Sequence, residues 1–250
     1  MKISIITVCY NSVATLEKTI QSVASQTYSN IEYVIVDGGS TDGTLEIIKK
    51  HQDIITKWIS EPDQGLYDAM NKGIKMVTGD LVGILNSDDV FYDEQVLQKV
   101  ADFHSKNEID ASVGNIVQCK ENGNLVRSYS SKNWTPKKLI IGFMPPHPSI
   151  FFKRNLFEEL GYYHLNFSIG ADYELITRFF LKNKIEWKYS GITTTSMLVG
   201  GLSSSGTSSY KLISTEIQKA LSMNAIPYNS TKIKMRFVWK IIGLLQQKNA

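Results

Sequence analysis

The first hundred residues alternate between short apolar runs and longer segments with apolar residues at helical spacing. Residues 3–9, 31–36 and 81–85 have the length and composition of buried strands, whereas residues 13–25 and 67–76 repeat with a helical period. Strands that alternate with helices in this way are joined by right-handed crossovers into a mainly parallel sheet. The sequence therefore predicts an α/β fold with a Rossmann-like central sheet flanked by helices.

Two acidic turns follow predicted strands. Asp37 comes directly after the strand at 31–36, and Asp88 and Asp89 come shortly after the strand at 81–85. Open α/β sheets bind ligands beyond the carboxyl ends of their strands, so these carboxylates lie where a ligand is expected. An aspartate pair alone would repel a phosphate, but a divalent cation held by the pair would attract a diphosphate. The turns indicate a site for a metal-bound nucleotide.

Size and composition are those of a globular enzyme. A chain of 250 residues, 42% hydrophobic and 20% charged, can form one substantial core. The N-terminus does not resemble a secretory signal, and no apolar run approaches about 20 residues, so we expect a cytoplasmic protein. Cys9 and Cys119 are too few and too isolated for a disulfide framework, and we expect reduced thiols.

The net charge of +3 conceals a basic tail. From residue 232 onward there are five basic residues and no acidic one. On a helical period one face would carry Ile233, Phe237, Val238, Ile241, Leu244 and Leu245, and another Lys232, Arg236 and Lys240. This predicts a basic amphipathic C-terminal helix over 228–250, which either binds an anionic membrane surface or packs on its own domain. Because the basic residues are confined to one short helix, no nucleic-acid partner is expected.

Five segments occur in a characteristic order: TVCYN, VDGGSTDGT, EPDQGLYDAMNKG, GILNSDD and GADYELITRF. The ordered set, which covers roughly residues 1–205, resembles the inverting family 2 glycosyltransferases with the GT-A fold. The resemblance implies transfer of a sugar from a nucleotide diphosphate donor to an acceptor hydroxyl, with Mn²⁺ or Mg²⁺ on the diphosphate. It also implies a GT-A catalytic domain over 1–227, with a donor half to about residue 110 and an acceptor half over 111–227.

The first two segments supply the nucleotide contacts that the resemblance implies. Thr7, Tyr10 and Asn11 are expected to meet the base at the end of the first strand, although Asn11 could equally cap the next helix. The resemblance assigns base recognition to Asp37, against the alternative of an Asx turn, and leaves Asp42 as a structural residue.

The third segment opens and closes a predicted helix, with Gly73 as its expected C-cap. The resemblance makes Asn71 a nucleotide contact. Many relatives carry Arg where this chain has Met70, which cannot pair with a phosphate or a ribose. Lys72 is the expected weaker substitute.

The segment NSDD carries the predicted metal site. The resemblance makes Asp89 the metal ligand. It makes Asp88 a residue that binds either the ribose of the donor or the side chain of Asp89. Asn86 replaces the first acid of the common Asp-x-Asp sequence, so the site has one negative charge fewer. We therefore expect metal affinity to be weak until the diphosphate arrives.

The segment GADYELITRF carries the predicted general base. Asp172 precedes an amphipathic helix, whose positive N-terminal end stabilises a carboxylate. Relatives usually have Glu-Asp here, and Ala171 replaces the Glu. The resemblance makes Asp172 the base that removes the acceptor proton, and the alternative is a helix N-cap.

Weaker candidates follow from single residues. His147 lies between two prolines and is placed either at the acceptor mouth or in a structural hydrogen bond. Trp134 either stacks on a sugar or packs in the core. The segment MLVGGLSSSG, with Gly200 and Gly201, resembles a loop that closes over donor phosphates in relatives, and otherwise reads as a flexible connection.

Together these features predict an inverting, metal-dependent glycosyltransferase with UDP as the preferred donor nucleotide. We expect a glycan or lipid-linked acceptor in surface polysaccharide or glycolipid synthesis, at the cytoplasmic face of a membrane. A sugar-phosphate nucleotidyltransferase is disfavoured because TVCYNS replaces its glycine-rich phosphate loop. A non-catalytic nucleotide-sugar binding protein is disfavoured because Asp89 and Asp172 are both present.

Overall fold

The computed structural model describes residues 1–199 and 206–236. The chain divides into two compact units. The first comprises Met1–Asn133, Pro145–Leu165 and Ile185–Val199, and the second comprises Trp134–Met144, Asn166–Lys184 and Gly200–Ala250. The predicted boundary at residue 227 stays a prediction.

The first unit contains one nine-stranded sheet. Its strands are β1 (Ile3–Cys9), β2 (Ile31–Asp37), β3 (Lys57–Ser60), β4 (Leu81–Ile84), β5 (Val90–Phe91), β6 (Ala111–Cys119), β7 (Leu125–Tyr129), β8 (Ile150–Lys153) and β9 (Trp187–Leu198). The order is β3-β2-β1-β4-β8-β6-β9-β5, with β7 paired to β6. The run β3-β2-β1-β4 is parallel, as predicted, and β6 pairs parallel to β9. Beyond β4 the sheet is mixed, because β8, β7 and β5 pair antiparallel to their neighbours.

Helices flank this sheet, which confirms the predicted fold class. They are α1 (Leu16–Ala24), α2 (Thr44–Lys50), α3 (Leu66–Met76), α4 (Val96–Ser105) and α5 (Asn155–Leu160). The apolar positions of α1 recur at helical spacing, so Leu16, Ile20 and Val23 are buried together. They join Ile5 of β1 and Phe151 of β8 in one hydrophobic core.

Gly73 does not end α3, which continues to Met76. A Cβ atom on Gly73 would lie 2.4 Å from Cγ2 of Ile6 in β1. Glycine is therefore required here because the helix backbone packs directly on the sheet, and the prediction of a C-cap was wrong.

The second unit is helical in its described part. Helix α6 (Ala171–Ile176) continues into a π-helical segment (Thr177–Lys182), and α7 spans Gly206–Met223. Arg178 forms a buried bidentate ion pair with Glu174, through Nε at 3.0 Å and Nη2 at 2.9 Å. Asn224 Nδ2 donates a further hydrogen bond to Glu174 Oε1 at 3.0 Å. Hydrogen-bonded pairing of this kind offsets the cost of burying charge.

Only the beginning of the predicted tail helix is described. Residues 230–236 are helical, and residues 237–250 lie outside the described part of the chain. Ile233 is fully buried, and Arg236 donates to the carbonyl of Gly142 at 3.2 Å. The described turn thus packs on its own unit, while Lys232 and Lys234 are exposed. No helix within residues 1–199 and 206–236 is long and apolar enough to cross a bilayer.

Candidate active site

The carboxyl ends of β1 and β2 are tied together by the chain that follows them. Asn11 has a left-handed backbone with φ of 49°, a conformation that Asn tolerates better than most residues. Its N–H donates to Ser40 Oγ at 2.8 Å, and its Oδ1 accepts from the N–H of Thr41 at 2.9 Å. The predicted nucleotide residue Asn11 therefore fixes the relative position of the two turns.

Asp37 is fully buried, and its carboxylate is surrounded by donors. Oδ2 accepts from the N–H groups of Gly39 and Ser40, each at 3.0 Å, and from the hydroxyl of Ser60 at 2.6 Å. Oδ1 accepts from the Ser40 hydroxyl and from the Cys9 thiol. Burial opposes ionisation, but hydrogen bonds from Ser40 and Ser60 outweigh it and lower the pKa of Asp37. This is the Asx-turn arrangement, and a base contact would require one of these bonds to break.

The burial that encloses Asp37 also encloses the neighbouring thiol. Burial, followed by the charge of Asp37, raises the pKa of the Cys9 thiol well above its usual range. Cys9 and Cys119 are both unpaired, and Cys119, at the end of β6, is partly exposed.

The remaining residues of the first two segments either make structural hydrogen bonds or are exposed to solvent. Thr7 is fully buried within β1, and its hydroxyl accepts from the Tyr33 hydroxyl at 3.1 Å. Tyr10 is 66% exposed and is free to offer its ring to a ligand. Asp42 accepts from the N–H of Val13 at 3.1 Å and from the N–H of Thr44 at 3.0 Å, which confirms its structural role.

Asp63 is a candidate that the sequence did not single out. It lies in the loop after β3, and its Oδ1 accepts from the N–H of Gly65 at 2.7 Å. A Cβ atom on Gly38 would lie 2.4 Å from Asp63 Oδ2 and 3.4 Å from Cδ2 of Tyr10. The available signal was an acid shortly after the carboxyl end of a third parallel strand. The loop's approach to Gly38 could not be derived from spacing.

Both polar atoms of the Asn71 side chain are used by backbone. Nδ2 donates to the carbonyl of Tyr163 at 2.8 Å, and Oδ1 accepts from the N–H of Tyr163 at 2.9 Å. Lys72 is likewise engaged, since Nζ lies 2.9 Å from Glu61 Oε1 and 3.4 Å from Asp68 Oδ2. Contact of either residue with a nucleotide would compete with these bonds.

The turn after β4 holds four oxygen-bearing side chains, those of Asn86, Ser87, Asp88 and Asp89. Asp89 is 1% exposed, and Asn86 Nδ2 donates to its Oδ2 at 3.2 Å. Burial, and then the charge of Asp88, raise the pKa of Asp89 to about 8. The backbone carbonyl of Asp89 accepts from the Thr19 hydroxyl at 2.8 Å, and Ser87 Oγ lies 2.9 Å from Ser12 Oγ. These bonds connect the acidic turn to α1 and to the segment that follows β1.

The donor set fits a hard divalent cation. Asn86 Oδ1 is buried without a hydrogen-bond partner beside the carboxylate of Asp89. Buried oxygens of this kind are costly unless a donor or a cation satisfies them. Among residues 1–199 and 206–236, no group of three or more His, Cys, Asp or Glu side chains could hold a metal. The protein could therefore supply one or two carboxylates and an amide oxygen, with phosphate and water as further ligands.

Asp172 lies in the second unit, as the second residue of α6. The N-cap of α6 is Gly170, so the alternative that Asp172 caps the helix was wrong. Its Oδ1 accepts from the N–H of Tyr173 at 2.7 Å, and the side chain is half-buried.

A distant carboxylate fixes the loop that precedes Asp172. Glu216 of α7 is buried and accepts from the N–H groups of Ser168 at 2.7 Å, Ile169 at 2.9 Å and Gly170 at 2.7 Å. A Cβ atom on Gly170 would lie 3.1 Å from Cβ of Glu216. No local sequence pattern predicts this contact, because Glu216 is 46 residues from Gly170.

The two weak acceptor candidates are packed in the interior. His147 is 9% exposed, its Nε2 lies 2.6 Å from the Tyr163 hydroxyl, and burial lowers its pKa to about 4. Trp134 is 7% exposed and donates its indole N–H to the carbonyl of Phe143 at 3.1 Å. Its ring also meets Phe180 edge-on. These are the arrangements that the structural alternatives predict. The glycine loop with Gly200 and Gly201 lies outside the described residues.

A curled sheet flanked by helices, with acidic turns at the ends of its parallel strands, is an α/β fold of the GT-A type. Residues 4–168 match the family model described as glycosyl transferase family 2. A PGL/p-HBAD biosynthesis glycosyltransferase of Mycobacterium tuberculosis is 31% identical over 240 residues, covering 94% of this chain and 87% of that protein. The chain therefore belongs to glycosyltransferase family 2 and is a glycosyltransferase.

Solved structures agree on the fold. S. aureus TarS, crystallised as residues 1–349 in complex with UDP-GlcNAc, matches with a TM-score of 0.70 and 21% identity, over 95% of this chain and 72% of that one. The mannosyltransferase PcManGT of Pyrobaculum calidifontis, in complex with GDP-Man and Mn²⁺, matches with a TM-score of 0.67 and 18% identity, over 94% and 68%.

Proposed function

We propose that this glycosyltransferase inverts the anomeric configuration, depends on a divalent metal and uses a nucleotide diphosphate sugar, with UDP preferred. The observation that carries the proposal is the turn after β4, where buried Asp89 lies beside the unpartnered oxygen of Asn86. The complexes of similar folds with UDP-GlcNAc and with GDP-Man and Mn²⁺ support a nucleotide-sugar donor and a metal.

The metal site consists of Asp89, with Asp88 and the amide oxygen of Asn86 as further ligands. When bound there, Mn²⁺ or Mg²⁺ supplies the positive charge that stabilises the diphosphate leaving group. The buried carboxylate of Asp89 favours such an ion, because a cation offsets both its desolvation and the repulsion from Asp88.

Asp172 acts as the general base. A carboxylate that removes the proton from the acceptor hydroxyl lets the oxygen attack the anomeric carbon directly, and a single displacement inverts that centre. The side chain is half-buried and is held by the N–H of Tyr173. It is the second residue of α6, after the Gly170 cap.

The acceptor is a hydroxyl of a glycan or of a lipid-linked intermediate at the cytoplasmic face of a membrane. Two observations support this part of the proposal: the relative named for PGL/p-HBAD biosynthesis, and the exposed Lys232 and Lys234 at the start of the basic tail. Such lysines attract anionic lipid.

Two measurements, donor binding and turnover, separate the roles of the two carboxylates. With a panel of nucleotide sugars and Mn²⁺, Asp89→Ala is expected to abolish metal-dependent donor binding, measured by calorimetry. Asp172→Asn is expected to keep donor and metal binding but to lower turnover by about 10²-fold or more, because a general base is lost.

The exposed Asp53→Ala serves as the control for loss of a carboxylate, and it is expected to match the parent in both measurements. Unchanged donor affinity in Asp89→Ala would refute the metal assignment. Near-parental turnover in Asp172→Asn would refute the base assignment.

A further inference from the structure

We propose that Asp63, and not Asp37, is the carboxylate that recognises the nucleobase of the donor, and that it selects a base with an N–H at its pairing edge. The inference rests on the proposed nucleotide-sugar donor. It assigns base specificity to the loop after β3 and to the absence of a side chain at Gly38.

Asp37 has no remaining capacity for a base. Its two oxygens accept from two backbone N–H groups, two hydroxyls and a thiol. A carboxylate offers about four lone-pair positions, so these donors fill it. Asp37 is also fully buried beneath the turn, with its backbone carbonyl accepting from the N–H of Glu61 at 3.1 Å. That bond holds the Asp63 loop against the end of β2.

Asp63 has one occupied and one available oxygen. Oδ1 accepts from the N–H of Gly65 at 2.7 Å, whereas Oδ2 makes no hydrogen bond to any of the residues that the structure describes. Lys72 anchors the preceding residues, because Nζ donates to the carbonyl of Pro62 at 3.0 Å and pairs with Glu61 at 2.9 Å. The carboxylate is thus held in place with an acceptor free.

The absence of a side chain at Gly38 leaves the space that Oδ2 of Asp63 occupies. A side chain at that position would place Cβ 2.4 Å from Asp63 Oδ2, closer than real Cβ contacts. The same Cβ would lie 3.4 Å from the ring of Tyr10, which is 66% exposed. The exposed ring of Tyr10 and the acceptor oxygen Oδ2 of Asp63 therefore both lie beside the backbone of Gly38. A nucleobase bound there could stack on the ring and hydrogen-bond to the oxygen through its edge.

The chemistry of a carboxylate sets the specificity. It can only accept, so it pairs with N3–H of uracil or N1–H of guanine. Cytosine and adenine present a lone pair at the corresponding ring nitrogen, which the negative charge repels. The site should therefore prefer UDP or GDP to CDP and ADP.

Asp63→Asn tests this directly. The amide keeps an oxygen for the N–H of Gly65 but places an NH₂ donor where Oδ2 was. The ratio of CDP to UDP dissociation constants, or of ADP to GDP constants if GDP binds more tightly, is expected to fall about tenfold or more. Calorimetry at fixed Mn²⁺ measures each constant. A purely structural role for Asp63 would weaken all four nucleotides together and leave the ratio unchanged.

Two further variants serve as a control and as a second test. Asp53→Asn removes an exposed carboxylate outside the Asp63 loop and is expected to keep the parental ratio. Gly38→Ala leaves Asp63 intact but displaces its Oδ2, and is expected to lower the ratio as Asp63→Asn does. If Asp63→Asn does not fold, the ratio in Gly38→Ala decides.

The outcomes distinguish this inference from the proposed function. A parent protein that binds none of the four nucleotides refutes both. A parent that prefers UDP or GDP, together with an unchanged ratio in Asp63→Asn or Gly38→Ala, refutes the Asp63 assignment alone.

Discussion

Three aspartates at the strand ends differ because their surroundings differ. Asp37 is saturated with donors and is held ionised. Asp89 is buried beside a like charge, and its pKa is raised to about 8. Asp63 has one oxygen engaged and one available. The partners of each oxygen are therefore what separates the turn at Asp37 from the proposed cation site at Asp89 and the proposed base contact at Asp63.

The buried carboxylate of Glu32 predicts how the unfolding free energy depends on pH. It is 1% exposed and accepts from the Ser4 hydroxyl at 2.7 Å and the Thr78 N–H at 2.6 Å. Burial opposes ionisation, but hydrogen bonds from Thr78, Ser4 and Lys57 outweigh it and lower the pKa of Glu32 to about 2. Its contribution to the unfolding free energy, about 3 kcal/mol, is complete above the unfolded pKa and is lost as pH falls to about 2.

The measurement is chemical denaturation between pH 5 and pH 2, with Glu32→Gln beside the parent. The parent is expected to lose the additional stability over that interval, whereas the variant, which cannot ionise, starts lower at pH 5 and shows a flatter profile. Parallel profiles would show that Glu32 makes no such contribution.

Among the strands and helices, the sequence predicted β1 with its observed bounds, and α1 and α3 to within a few residues. Local apolar periodicity suffices for these elements. Local periodicity fails where a contact distant in sequence determines the residue, as at Gly73, which was predicted to end α3 but packs on Ile6. The start of α6 is a second case, because Glu216 satisfies the preceding amides from another helix. The acidic turns were predictable from the sequence, but the donors that fill both oxygens of Asp37 and the nearness of Asp63 to Gly38 were not.

Glu216→Ala tests that contact. Removal of the carboxylate leaves three backbone N–H groups without their acceptor, and we expect a loss of about 3 kcal/mol in the unfolding free energy. Because the freed loop carries Asp172, turnover is expected to fall while the affinity for donor is kept. Denaturant titration and donor calorimetry measure the two effects.

The matched control is Thr215→Ala, an exposed neighbour on the same helix, for which little change is expected. Glu216→Asp should recover part of the turnover. Loss of stability with full turnover in Glu216→Ala would make the contact a matter of folding alone.

At the scale of the whole molecule, the order of the strands was beyond the sequence. Periodicity predicts that strands exist, but antiparallel β8 enters between β4 and β6 through pairings across long stretches of chain. The basic C-terminal segment is described as far as Arg236. Its described turn buries Ile233, while its next residues lie outside the described part.

The membrane proposal makes a prediction for the intact protein. Each basic residue near an anionic surface contributes about 1 kcal/mol, screened over about 10 Å at 0.1 M salt. Lys232→Gln with Lys234→Gln is therefore expected to weaken co-sedimentation with anionic vesicles about tenfold or more at low salt. Both lysines are exposed, so the fold should survive.

The double variant Lys18→Gln with Lys106→Gln, which removes two exposed lysines elsewhere, is the control and should sediment like the parent. A parent protein that ignores vesicles at every salt concentration would end the membrane proposal and leave the glycosyltransferase activity untouched.

The two cysteines differ in how readily they react with reagents in solution. Cys9 is shielded from solvent, and its raised pKa keeps it from forming a thiolate at neutral pH, whereas Cys119 is partly exposed. Alkylating reagents attack the thiolate, so a maleimide dye should attach at Cys119 and spare Cys9. The natural sequence therefore offers one fluorescent reporter on β6, without any cysteine having to be removed.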